Sequence, residues 1–182
     1  MWDTSLSLPC VTIRDPLPGT SVRIAECDLT RAVVATSHWC DLSHLLRLDL
    51  LAHASAYLLV GFDENTGQTC LRVGSGVELH ARLYDQRWNG YLRPIDEVFV
   101  LTTGSPILSE ADIAFWRTRL GTLAWSAGRV RLVRGRASVS MPAPPARKEM
   151  LESLLAQGRP LLRAAGCPWL EPCSPDSRRA AA

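Results

Sequence analysis

Two short apolar runs separated by turn chemistry constrain this chain more than any other feature. Tyr57-Leu58-Leu59-Val60-Gly61 and Cys70-Leu71-Arg72-Val73-Gly74 flank a loop containing Asp63-Glu64-Asn65-Thr66-Gly67. Short runs rich in apolar residues predict strands, and the Asp, Asn and Gly between them turn the chain back. The segment 57–74 therefore predicts an antiparallel hairpin. Gly74-Ser75-Gly76 then leads into a helix with Val77, Leu79, Leu83 and Tyr84 as its apolar members. Val98-Phe99-Val100-Leu101 predicts a buried strand. A helix over 109–127 follows, with Ser109 as its N-cap and acids at 110 and 112 in its first turn. Its apolar stripe is Ile113, Phe115, Trp116, Leu120, Leu123 and Ala124, and Gly128 is its C-cap.

The flanking segments carry weaker signals. Val11-Thr12-Ile13-Arg14 and Ser21-Val22-Arg23-Ile24-Ala25 alternate on either side of Asp15-Pro16-Leu17-Pro18-Gly19, a second hairpin pattern. Residues 31–35 add a third short strand, and 41–51 has mostly helical spacing. Residues 129–133 alternate like a strand. Met141-Pro142-Ala143-Pro144-Pro145 is a rigid connector. An amphipathic helix over 147–165 contains Pro160, which should kink or split it. From Gly166 onward Pro, Ser and Arg predict a frayed tail.

A length of 182 residues fits one domain with appendages. No apolar run approaches the ~18–20 residues of a membrane span. The first ten residues, MWDTSLSLPC, lack the basic and apolar regions of a secretory signal. The expectation is therefore a cytoplasmic protein with no membrane partner. The six cysteines, at 10, 27, 40, 70, 167 and 173, form no CxxC pair and suggest no disulfide framework. His38, Cys40 and His44 fall at i, i+2 and i+6, which share no helical face, and predict no metal site.

The net charge of +2 hides an asymmetry. Residues 1–112 carry 8 Arg and 14 acids, whereas 113–148 carry 7 Arg, one Lys and no acid. A stretch with eight cations and no carboxylate is an electrostatic footprint for a polyanion. Arg117, Arg119, Arg129 and Arg131 belong to it. Nineteen of the 20 basic residues are Arg, whose planar fork matches phosphate in a bidentate way.

The order hairpin, helix, strand, long helix resembles the GIY-YIG nuclease domain. Ser55-Ala56-Tyr57 stands where that family has its Gly-Ile-Tyr strand, and Arg72-Val73-Gly74 where it has Tyr-Ile-Gly. Arg82 falls eight residues past Gly74, at the place of the family arginine. Leu108-Ser109 matches the Leu-Ser/Thr that opens the long helix, and Phe115-Trp116-Arg117 stands in the Tyr-Leu-Glu place. The segment before Tyr57 is similar to the N-terminal extension of a bacterial branch. The resemblance implies an α/β fold: a small central antiparallel sheet flanked by helices. It divides the chain into a β-hairpin-plus-helix extension (1–51), a GIY-YIG-like domain (52–141), a C-terminal helical segment (142–165) and a flexible tail (166–182).

In such nucleases the hairpin tyrosines assist proton transfer, the arginine contacts phosphate, and a glutamate on the long helix holds Mg²⁺ or Mn²⁺. By resemblance Tyr57 and Arg82 are the catalytic-type positions and Gly74 the structural one. The departures change the chemistry. Arg72, in the second tyrosine's place, cannot be a general base, because its pKa exceeds ~12. Gln86 stands where relatives often have His or Tyr. Arg117 stands in the metal glutamate's place, and a guanidinium ~4 Å from a divalent cation is repelled by about 8 kcal/mol at an effective dielectric of about 20. The implied function is nucleic-acid binding, to DNA rather than RNA, through Arg72, Arg82, Arg117, Arg119, Arg129 and Arg131. Phosphodiesterase activity is lost or weakened, and no cofactor is needed. Two alternatives stay open: a metal-dependent nuclease with ligands relocated to residues such as Glu78 or His80, and a protein–protein scaffold on the same fold.

Overall fold

The computed structural model describes residues 10–86, 94–105, 107–133 and 144–172. Pro106, Arg134, Gly135, Arg136, the connector from Met141 through Ala143, and Cys173 lie outside the described residues, as do the ends of the chain. Among the described residues seven strands form one mixed sheet: β1 Thr12–Arg14, β2 Arg23–Glu26, β3 Val33–His38, β4 Ser55–Phe62, β5 Thr69–Gly76, β6 Ile95–Thr102 and β7 Arg131–Leu132. Their order across the sheet is β1-β2-β3-β6-β4-β5-β7. All neighbours are antiparallel except β5 and β7, which run parallel. Four α-helices among the described residues accompany it: α1 Leu42–Leu45, α2 Leu79–Gln86, α3 Glu110–Ala127 and α4 Pro145–Ala164. None among the described residues is long and apolar enough to cross a membrane.

The 57–74 hairpin forms as the apolar runs predict, with Tyr57 opposite Gly74 and Gly61 opposite Cys70. Its strand β4 is central and buried from Ser55 through Gly61. Alternate residues must then be covered on both faces. Ala56, Leu58 and Val60, with Phe99 and Leu101 of β6, pack under Ile113, Trp116 and Leu120 of α3 and Leu151, Leu155 and Leu162 of α4. Tyr57 and Leu59, with Val98 and Val100, face the other way, among Leu42, Leu45, Leu51, Leu79 and Leu83 from the α1 and α2 side. The result is three layers, helices on both faces of one sheet.

The N-terminal strands belong to this sheet and do not form a separate layer. Strand β3 pairs along its whole length with β6, from Val33 opposite Thr102 to His38 opposite Glu97. The 41–51 segment yields only one α-helical turn, Leu42–Leu45, between 3-10 turns at Trp39–Asp41 and Asp49–Ala52. Val77 lies before α2 begins, and Val77 and Tyr84 are exposed, so Leu79 and Leu83 are the buried residues among the described side chains of this helix. Helix α4 continues through Pro160. Residues beyond it are anchored: Cys167 and Leu170 are buried, and burial pushes the Cys167 thiol up to about 12. The tail expected from Gly166 is therefore held down at least through that turn.

Helix α3 is fastened at both ends. Ser109 and Asp112 make a reciprocal capping box, and Gly128 closes the C-terminus at φ 65°. Asp112 is more than a dipole partner. It is 4% exposed, accepts from the Ser109 amide at 2.8 Å and hydroxyl at 2.7 Å, and takes a bidentate contact from Arg147 of α4. Arg147 also donates to the Ile107 carbonyl at 2.8 Å. The Trp116 indole N–H, fully buried, donates to the Leu151 carbonyl at 3.0 Å and links the same two helices. Deeper in the same layer Gly158 of α4 meets Leu101, and a Cβ there would stand 2.6 Å from a Leu101 methyl.

The Arg147 guanidinium, then the Ser109 donors, hold the Asp112 carboxyl down at about 2, against an ordinary value of 3.8. A depressed folded-state pKa contributes stability that is complete above the unfolded value and is lost as pH falls through the folded one. Denaturant midpoints should therefore drop between about pH 4 and pH 2. Asp112→Ala should cost about 3 kcal/mol at pH 7, through the lost cap and the orphaned arginine, and should flatten that acid slope. Urea titrations of both proteins across this range check it, and an unchanged slope in the variant would contradict it.

Candidate functional site

Strand β5 ends in a sequence with little side-chain volume, Gly74-Ser75-Gly76. Both glycines face the α2 side, and each receives a neighbour's side chain. At Gly74 a Cβ would lie 2.1 Å from the Tyr57 ring, so the ring rests directly on the strand backbone. At Gly76 a Cβ would lie 2.8 Å from Cγ of Arg82, so the arginine stem crosses there. Arg72 lies two residues before Gly74, on the same side, about 7 Å along the strand. Tyr57, Arg72 and Arg82 thus line one side of the outer half of β5.

Their environments differ. Tyr57 is 3% exposed and belongs to the core, Arg72 is half-buried, and Arg82 is exposed. Glu78 lies one turn before Arg82 but does not pair with it; no ion pair among the described residues engages Arg82. Strand β7 pairs only with Cys70 and Leu71. Among the described residues, then, the edge of β5 from Arg72 to Gly76 has no strand beside it. The second glycine of the pair is the feature that the sequence reading missed. Its signal was a glycine two residues after Gly74, on the same face of an extended strand.

The other arginines singled out in the sequence do not gather here. Arg117 is half-buried on α3, the helix of the opposite layer. Arg119 pairs with Glu152 of α4 at 2.6 Å. Arg131 pairs with Asp63 in the β4–β5 loop, and Arg129 donates to the Pro168 carbonyl at 3.3 Å. Arg147 is held by Asp112. Three of the cations in the acid-free stretch thus find carboxylates from elsewhere in the chain, and their field is locally compensated. Among the described residues no three His, Cys, Asp or Glu side chains cluster as metal ligands. Comparisons with protein-family models, with curated proteins and with solved structures return no match.

The fit of Tyr57 on Gly74 carries a stability prediction. Gly74→Ala should displace the ring and cost about 2–3 kcal/mol. Tyr57→Leu should be damaging alone but should recover part of the loss when combined with Gly74→Ala. A double-mutant cycle by chemical denaturation measures this coupling; strictly additive effects would mean that the ring does not depend on the missing Cβ.

Proposed function

We propose that this protein is a GIY-YIG-like, nucleic-acid-binding domain that has lost metal-dependent cleavage. The observation carrying the reading is the side of β5 where Tyr57 lies on Gly74, Arg82 crosses Gly76 and Arg72 stands alongside. These are the positions that match the family's hairpin tyrosines, glycine and helix arginine. Support also comes from the strand and helix order, since β4, β5, α2, β6 and α3 follow one another as in that domain. Two cations on one strand side can hold adjacent phosphates, and the DNA backbone supplies such charges repeatedly. DNA is the preferred ligand of this reading.

The donor set does not fit a divalent cation. Tyr57, Arg72 and Arg82 themselves bring no carboxylate, and Arg72 stands where the resemblance puts the tyrosine that would handle a proton. Arg117, which by resemblance stands in the metal carboxylate's place, lies on α3 across the sheet from them. Arg72 and Arg82 bind and orient phosphate oxygens, whereas neither activates water at neutral pH. Arg119 and Arg131, being paired, contribute less to binding than the charge count suggests. That same pairing favours the second reading, a protein–protein scaffold in which the basic stretch is structural.

Fluorescence anisotropy with a short duplex and a single strand separates these readings. Binding should weaken steeply with salt, and Arg82→Ala should reduce the duplex salt slope by about 0.9. Arg14→Ala, removing an exposed arginine paired with Glu26 on β2, should leave the slope unchanged. Supercoiled plasmid with Mg²⁺ or Mn²⁺ should not be nicked. Absence of affinity at low salt would favour the scaffold. Nicking abolished by Arg82→Ala would restore the nuclease reading.

A further inference from the structure

Gly76 is the last residue of β5, buried and paired with Ser55 of β4. Its backbone is not in the left-handed region, so conformation alone does not call for a glycine. A glycine inside a strand weakens it and marks the close approach of another group. Here that group is the stem of Arg82. A Cβ on Gly76 would stand 2.8 Å from Cγ of the arginine, 3.5 Å from its Cβ and 3.8 Å from its Cδ. Successive carbons of the stem thus lie along the bare strand. We propose that Gly76 is a positioning residue: it seats the Arg82 stem on β5 and so fixes in advance where the guanidinium meets a phosphate. The consequence for binding rests on the nucleic-acid reading above; the seating of the stem does not.

The two glycines of β5 serve different ends. Gly74 admits the ring of Tyr57, which is 3% exposed, so core packing accounts for it. Gly76 admits a side chain that is exposed as a whole. Core packing does not require a solvent-facing arginine to be seated on a strand. Nor does an ion pair set its path, since none among the described residues engages Arg82.

The root of the side chain is fixed separately. Leu79 and Leu83 are buried in the core under α2 and set the rotation of that helix, which leaves Arg82 on the flank beside β5. With the root held by the helix and the stem by the glycine, only the far end of the side chain stays free. Arginine carries a large rotamer entropy, and a side chain ordered beforehand does not lose it on binding. An alanine at this position would push the stem off the strand. The guanidinium would keep its charge and lose its place.

Two measurements on the full chain test this. The first needs no ligand: the Arg82 Nε–H signal in nitrogen–proton NMR, assigned by its loss in Arg82→Ala, reports fast side-chain motion. In the wild type its heteronuclear NOE should exceed that of Arg47, an exposed arginine in the segment after α1. Gly76→Ala should lower it to the Arg47 level. The second is fluorescence anisotropy with the short duplex. Gly76→Ala should weaken binding about threefold to tenfold at fixed salt. In the Arg82→Ala background it should weaken binding no further. Should Gly76→Ala fail to fold by circular dichroism, the wild-type comparison of Arg82 with Arg47 still decides. An Arg82 signal as mobile as that of Arg47, or an NOE that Gly76→Ala leaves unchanged, would overturn the proposal. Full duplex affinity in Gly76→Ala, or the same loss with and without Arg82, would also overturn it. A wild type without affinity at low salt would remove the nucleic-acid reading and the phosphate role together. The NOE comparison would then show separately whether Gly76 seats the stem.

Discussion

A strand buried on both faces has to be covered twice, and in this molecule that requirement falls on β4. Its odd and even residues enter two different cores. Ala56, Leu58 and Val60 require α3 and α4 on one side; Tyr57 and Leu59 require α1 and α2 on the other. Every larger feature follows from satisfying both at once. The upper layer closes by locking α3 to α4 through Trp116 and through Asp112 with Arg147. The lower layer closes with less helix, and Tyr57 fills it by resting on a glycine.

That arrangement also places the arginines. Arg82 comes from the first helix after the hairpin and crosses the strand's last glycine, while Arg117, Arg119 and Arg147 of the acid-free stretch lie on the helices of the opposite layer. There they serve as fasteners: Arg119 to α4, Arg131 to the β4–β5 loop, Arg147 across the helix termini. A linear charge count sees eight cations without an acid. In three dimensions the compensating acids come from Glu152, Asp63 and Asp112, separated in sequence by 33, 68 and 35 residues.

The distinction between local and remote partners marks how far the sequence could be read. The hairpin, the Ser109 cap, the Gly128 stop and the stripe through Trp116 are set by residues within one or two turns of each other, and they were legible. Tyr57, Gly74 and Arg82 were legible as a spacing. The pairing of β3 with β6 was not, because nothing near Val33 indicates that Thr102 lies opposite it. The burial of Asp112 was hidden for the same reason: its partner lies on another helix. Cys167 and Leu170 sit in a Pro-rich stretch that resembles a tail, and only the floor beneath α3 and α4 gives them somewhere to go.

The place of β6 between β3 and β4 has a consequence for how the chain is made. Strands β1 to β3 and the β4–β5 hairpin can each close locally, within a few tens of residues. Neither can seal its inner edge until Thr102 has left the ribosome, because only β6 bridges them. At roughly 5–20 residues per second, β3 waits on the order of ten seconds with a ladder of amides and carbonyls unpaired. His38 at its end and Arg31 just before it stand at the two ends of that open edge.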